Sequence, residues 1–181
     1  MATETQFTLK ITMGDESQDF FLGARPLESI ISCALSDTPE FAGFFAAAAQ
    51  HPASTVRRTV ASQAQLPGDA SLALANDPSA SVRVQLVQNP SFRRLAPEAV
   101  VLGLVKSDSE VAAAVAGLVH GFENADIDVL CKAIAQHPDP VVRCALAWNS
   151  GTPLKWLKVL RGDPTREVAD TALREMAGRS R

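Results

Sequence analysis

The chain has 181 residues, a formal net charge of −3 and 46% hydrophobic residues. That is ordinary for a globular protein, with material for one core or a short repeat array. It excludes a global basic field that would draw the whole chain to nucleic acid or anionic lipid. Three cysteines, Cys33, Cys131 and Cys144, are too few and too scattered for a disulfide framework. The opening "MATETQFTLK" lacks the basic start and apolar run of a secretory signal. No apolar segment approaches the ~18 residues a membrane helix needs. The expected location is cytoplasmic, with no membrane partner.

Residues 1–50 hold seven acidic and two basic side chains, a balance of −5, whereas residues 51–181 balance at +2. The acidic segment has its own pattern. "QFTLKITM" alternates Phe7, Leu9, Ile11 and Met13 against Thr8, Lys10 and Thr12, which predicts a half-buried strand. "GDES" follows as a turn and "QDFFLGA" as a second strand. "RPLESIISCALSD" predicts a helix led by Pro26. "TPEFAGFFAAAAQ" predicts another, capped by Thr38 with Pro39 at its first position. A hairpin alone is marginal, so it is expected to pack on something or to cap the helices after it. Its free edge also offers a docking mode for a partner strand.

From residue 51 the chain repeats a phrase. Val56, Val82, Val111, Val142 and Val168 are spaced by 26, 29, 31 and 26 residues. Four residues before each stand Pro52, Pro78, Ser107, Pro138 and Pro164; one earlier stand His51, Asp77, Lys106, His137 and Asp163. Four and five residues after each valine come Val60 and Ala61, Leu86 and Val87, Val115 and Ala116, Leu146 and Ala147, and Ala172 and Leu173. An i, i+4, i+5 stripe is one buried face of a short helix. The proline is expected in its first turn, with aspartate as a cap. A second helical stripe precedes each proline slot: Ala70, Ser71, Leu74, Ala75, then Ala99, Val100, Gly103, Leu104, then Leu130, Cys131, Ile134, Ala135, then Trp156, Leu157, Leu160, Arg161. "QLPGD", "NPSFRRLAPE", "GFENAD" and "NSGTP" read as the turns between. Two short helices at a period of 20–50 residues predict a helical solenoid.

"DPSASVRVQLVQNP" and "HPDPVVRCALAWN" resemble the leucine-rich repeat variant, a HEAT-like family of bacterial helical repeats. The matching residues are Pro78, Val82, Arg83, Leu86, Asn89 and Pro90, then Pro138, Val142, Arg143, Leu146 and Asn149. The unit at 51–63 has Gln63 at the asparagine slot, and the last unit has Ala169 in place of the arginine. The resemblance covers residues 51–176; with the pattern of residues 1–50 the expected fold is mainly α, a short right-handed solenoid of about five units over 51–181 preceded by a hairpin and capping helices over 1–50. Some members carry an N-terminal iron–sulfur domain, which needs several thiolates. Only Cys33 lies in that region here, so no cofactor is expected. HEAT-like folds serve scaffolds, lyases and glycosylases alike, so the fold leaves function open.

Arg57, Arg83 and Arg143 share a slot and predict a ladder. Pairing with acidic side chains or helix carbonyls is favoured over phosphate binding, because the slot lies inside the packing motif. His51 and His137 stand where other units have aspartate, which predicts a helix-terminus role. Cys131, His137 and Cys144 match no zinc spacing. Arg58, Arg93 and Arg94 fall outside the motif as solvent-facing charge, the latter two on a loop. Trp148 stands outside the packing slots as a contact anchor. No phosphate loop, catalytic triad or paired carboxylates stand out. The reading is a non-enzymatic module that binds a protein or peptide through Arg58, Arg93, Arg94 and Trp148, with no metal or cofactor. Nucleic-acid binding through the arginine slots is the first alternative, opposed by the acidic total. An enzyme or lyase helper is the second.

Overall fold

The computed structural model describes residues 6–33, 39–64 and 66–179. Thr38, the expected cap, and Gln65 of the expected "QLPGD" turn lie outside the described residues. The chain is mainly helical with a small two-stranded antiparallel hairpin near its N-terminus. It divides into two compact units, Met1–Leu86 and Val87–Arg181.

The first unit opens with strands β1 (Thr8–Met13) and β2 (Glu16–Phe21), with Leu9 opposite Phe20 and Ile11 opposite Gln18. Gly14 turns the hairpin at φ +62°, where glycine is unstrained. The alternation is as expected, but the burial is not. Leu9, Ile11 and Phe20 share a face and are 46%, 47% and 41% exposed. A period of two aligns apolar residues on one side, but it cannot supply the layer that covers them. The hairpin is tied at its base instead. The Phe7 ring meets Phe44 edge-on at 6.2 Å and His51 at 5.7 Å. The Leu22 N–H donates to the Phe7 carbonyl at 2.9 Å.

Helix α1 (Ala24–Cys33) follows and buries Leu27 and Ile31, one turn apart. A short 3-10 turn (Pro39–Phe41) leads into α2 (Ala42–Ala48), so the proline opens the tighter helix rather than the α-helix. Next come α3 (Ser54–Ala61), α4 (Gly68–Ala75) and α5 (Ala80–Gln88).

The second unit holds α6 (Pro90–Leu95), α7 (Glu98–Val105), α8 (Ser109–Gly117), a 3-10 turn (Val119–Gly121), α9 (Ile127–Ala135), α10 (Pro140–Trp148), α11 (Leu154–Leu160) and α12 (Arg166–Gly178). Helix α10 packs against both α8 and α12, and α9 packs against α7, α10 and α11. The "NPSFRRLAPE" stretch, read as a turn, is helix α6. Asn89 caps it by accepting from the Ser91 and Phe92 N–H groups, and Pro90 holds the first position. Asn-Pro signals a turn and a capped helix start equally well.

The valine-led stripe is buried at every position except Leu173, which is 46% exposed midway along the last helix. Each fully buried leucine or valine contributes roughly 1.5–3 kcal/mol. The second stripe slips by one residue in α7, where Val101, Leu104 and Val105 are buried. The run "AVVLGLV" fits several helical phases, so periodicity alone could not choose.

The repeated prolines do not sit in the first helical turn. Pro52, Pro78, Pro138 and Pro164 each stand two residues ahead of α3, α5, α10 and α12. The residue before each proline explains the offset. Asp77 Oδ1 accepts from the Ser79 N–H, and Asp163 Oδ1 from the Thr165 N–H, both at 2.8 Å. His51 Nδ1 accepts from Ala53 at 3.0 Å and His137 Nδ1 from Asp139 at 3.1 Å. The side chain closes a turn around the proline before the helix begins.

Candidate functional site: the groove between α10 and α12

Helix α10 starts cleanly for local reasons. Asp139 is extended and accepts from the Val141 N–H at 2.8 Å, and Pro140 takes the first position. The Asp139 carboxyl is held below its usual range, first by the Ser109 hydroxyl and then by the Val141 N–H. Val142, Leu146 and Ala147 turn inward. What remains outward on this helix is Val141, Cys144, Ala145 and Trp148, an apolar set one or two turns apart.

Beneath it, Arg143 clamps the start of α12. Nε donates to Asp163 Oδ2 at 2.7 Å and Nη2 to Asp163 Oδ1 at 3.0 Å. Nη1 donates to the carbonyls of His137 and Pro138 at 2.7 and 3.0 Å. The pair holds the Asp163 carboxyl below its ordinary range and raises the Arg143 guanidinium above its own. The first unit has the same clamp. Arg57 donates Nε to Asp77 Oδ2 at 2.5 Å, Nη2 to Oδ1 at 2.9 Å, and Nη1 to the carbonyls of His51 and Pro52. Arg83 Nη1 donates to the carbonyl of Asp77, six residues back, as in the other two. All three arginines are buried, and the forks of Arg57 and Arg143 are spent inside the protein. The slot of Arg57 and Arg143 therefore organises helix junctions.

The clamp fixes α12 beside α10 and leaves an open groove of about 300 Å³. Pro140, Val141, Cys144, Ala145 and Trp148 line one wall. Thr165, Glu167 and Val168 line the other. Val141 is 63% exposed and Trp148 61%, so two large apolar side chains stand in water one helical stretch apart. The Arg174 guanidinium lies 5.7 Å from the centre of the Trp148 ring. It also donates to the Asp170 carbonyl at 3.3 Å and to Thr171 Oγ1 at 3.1 Å, so the indole is propped from one side.

The four residues singled out in the sequence lie on three different helices, α3, α6 and α10. Arg58 lies in the first unit, exposed on α3. Arg93 and Arg94 lie on α6, not on a loop. Arg93 is half-buried; it donates to the carbonyls of Val87 at 3.1 Å and Gln88 at 2.6 Å, capping the end of α5. Arg94 is exposed and donates to Ser91 Oγ at 3.2 Å. Of the four, only Trp148 lines the groove. The sequence reading missed Val141, Cys144 and Glu167. Val141 was visible as an apolar residue outside the buried stripe, next to Val142; Glu167 had no signal.

Trp156, the other tryptophan, donates its indole N–H to Asp128 Oδ1 at 2.9 Å, linking α11 to α9. Lys155 pairs with the same carboxylate. Cys131 is buried among apolar neighbours, which pushes its thiol up to about 12. Among the described residues, no group of three or more His, Cys, Asp or Glu side chains is placed to hold a metal ion. No helix among them is long and apolar enough to cross a membrane. No protein-family model, curated protein or solved structure matches the chain.

Proposed function

We propose that the chain is a non-enzymatic interaction module. Its helices form a short right-handed solenoid of the leucine-rich repeat variant kind, and it docks a protein or peptide on an exposed helix face. Three observations support the repeat: the stripe of equivalent buried positions, the proline turns closed by Asp or His, and the arginine clamp with the same partners at Arg57 and Arg143.

The observation that carries the docking reading is the exposure of Trp148 and Val141 along one apolar groove. Exposed apolar side chains are common singly. A tryptophan and a valine lining one slot lose nothing by being covered, and tryptophan is the residue most enriched at binding hot spots. The test is capture of the partner by wild type and by Trp148→Ala. A hot-spot loss of about 2 kcal/mol weakens binding about thirtyfold. The urea midpoint is expected to stay unchanged. Undiminished capture by Trp148→Ala contradicts the docking reading.

A further inference from the structure

We infer that the occupant of the α10–α12 groove is a segment of a partner protein in which an aliphatic or aromatic side chain sits next to a lysine or arginine. This deepens the docking reading above and rests on it.

The shape sets the first half. A volume of about 300 Å³, open along one side, is at the bottom of the range for small-molecule pockets. It is a slot for one or two side chains. Its walls are carbon-rich, from Val141, Ala145, Val168 and the Trp148 ring. Arg174 props the indole from one side. An inserted apolar side chain gains the contact area of a fixed ring, which has little rotamer freedom left to lose.

Charge sets the second half. Glu167 is the only lining residue with a charged side chain. It is exposed and has no ion-pair partner among the described residues. Of the cations around it, Arg143 is spent on buried Asp163, and the solvent-exposed Arg166 stands 3.4 Å from Asp170. Arg174 is held against Thr171, the Asp170 carbonyl and the Trp148 ring. An occupant without a cation would dry Glu167 with nothing to replace its water, which is costly. A lysine or arginine beside the inserted apolar residue turns that cost into a charge-assisted hydrogen bond. An acidic neighbour would meet like charge and be rejected.

The test is selection of a displayed library of random dodecapeptides on the full chain, with Trp148→Ala as counter-selection. Val141→Ser serves as a second counter-selection if Trp148→Ala lowers the unfolding midpoint. The expected winners place Leu, Ile, Phe or Trp within two residues of Lys or Arg. Their binding to Glu167→Gln falls roughly threefold or more, and to wild type it weakens with added salt. Trp148-dependent winners that are acidic, or uncharged and indifferent to Glu167→Gln, overturn the charge inference while leaving the groove as a docking site. No Trp148-dependent enrichment at all overturns both.

Discussion

Replacing Arg143 by methionine keeps the aliphatic stem and removes the guanidinium. Five hydrogen bonds of 2.7–3.2 Å disappear, two to Asp163 and one each to the His137 and Pro138 carbonyls and Thr165 Oγ1. The Asp163 side chain is only 5% exposed, so its charge is left without a partner and without much water. Removing one member of a buried pair costs about 3–5 kcal/mol. Urea unfolding at neutral pH should show that loss. Asp163→Asn in the same chain should recover part of it, because the charge goes while the oxygen that accepts from the Thr165 N–H remains. The pH dependence gives a second reading. The Asp163 carboxyl lies below its usual value in the folded chain. Its stabilisation is therefore full above the unfolded value of about 4 and fades as pH falls through the folded one. The gap between wild type and Arg143→Met should narrow on acidification below about pH 4. A loss under about 1 kcal/mol, or a gap that does not change with pH, refutes the clamp as an energetic element.

Leu146 is fully buried, and Leu146→Ala should cost about 2–5 kcal/mol by urea unfolding. His137 closes the same turn that Asp77 and Asp163 close elsewhere. His137→Asp should therefore hold the thermal midpoint, while His137→Ala should lose about 0.5–2 kcal/mol. Burial and the raised thiol value of Cys131 predict that iodoacetamide labels it only after unfolding, whereas Cys33, which is exposed, labels in the native protein; peptide mass mapping reads both.

The helical elements were legible because each repeated valine carries its own stripe, and a stripe of spacing four and five has one burial solution. The arginine slot was legible for a related reason. A charge that recurs inside a packing motif has to be neutralised there, and Asp77 and Asp163 do so. Other features were not. The proline offset depends on which backbone N–H the preceding Asp or His reaches, and spacing does not encode that. Helix α6 was hidden because its Asn-Pro start is also a turn signal. The hairpin's exposure was invisible because alternation marks a face without naming what covers it. The groove needed two helices brought together, since Glu167 lies 26 residues from Val141 in the chain. Trp148 alone was marked from sequence, as the large side chain that fits no buried slot.

The most direct test of the account puts a photoreactive phenylalanine analogue at position 141, in the groove wall, and irradiates the protein in extract from its host. The account predicts a discrete covalent adduct with a partner polypeptide, lost when Trp148→Ala is added and absent when the same group replaces Lys132, which is exposed on α9. An adduct of equal yield from position 132, or one that persists without Trp148, contradicts the claim that this groove is where the protein binds.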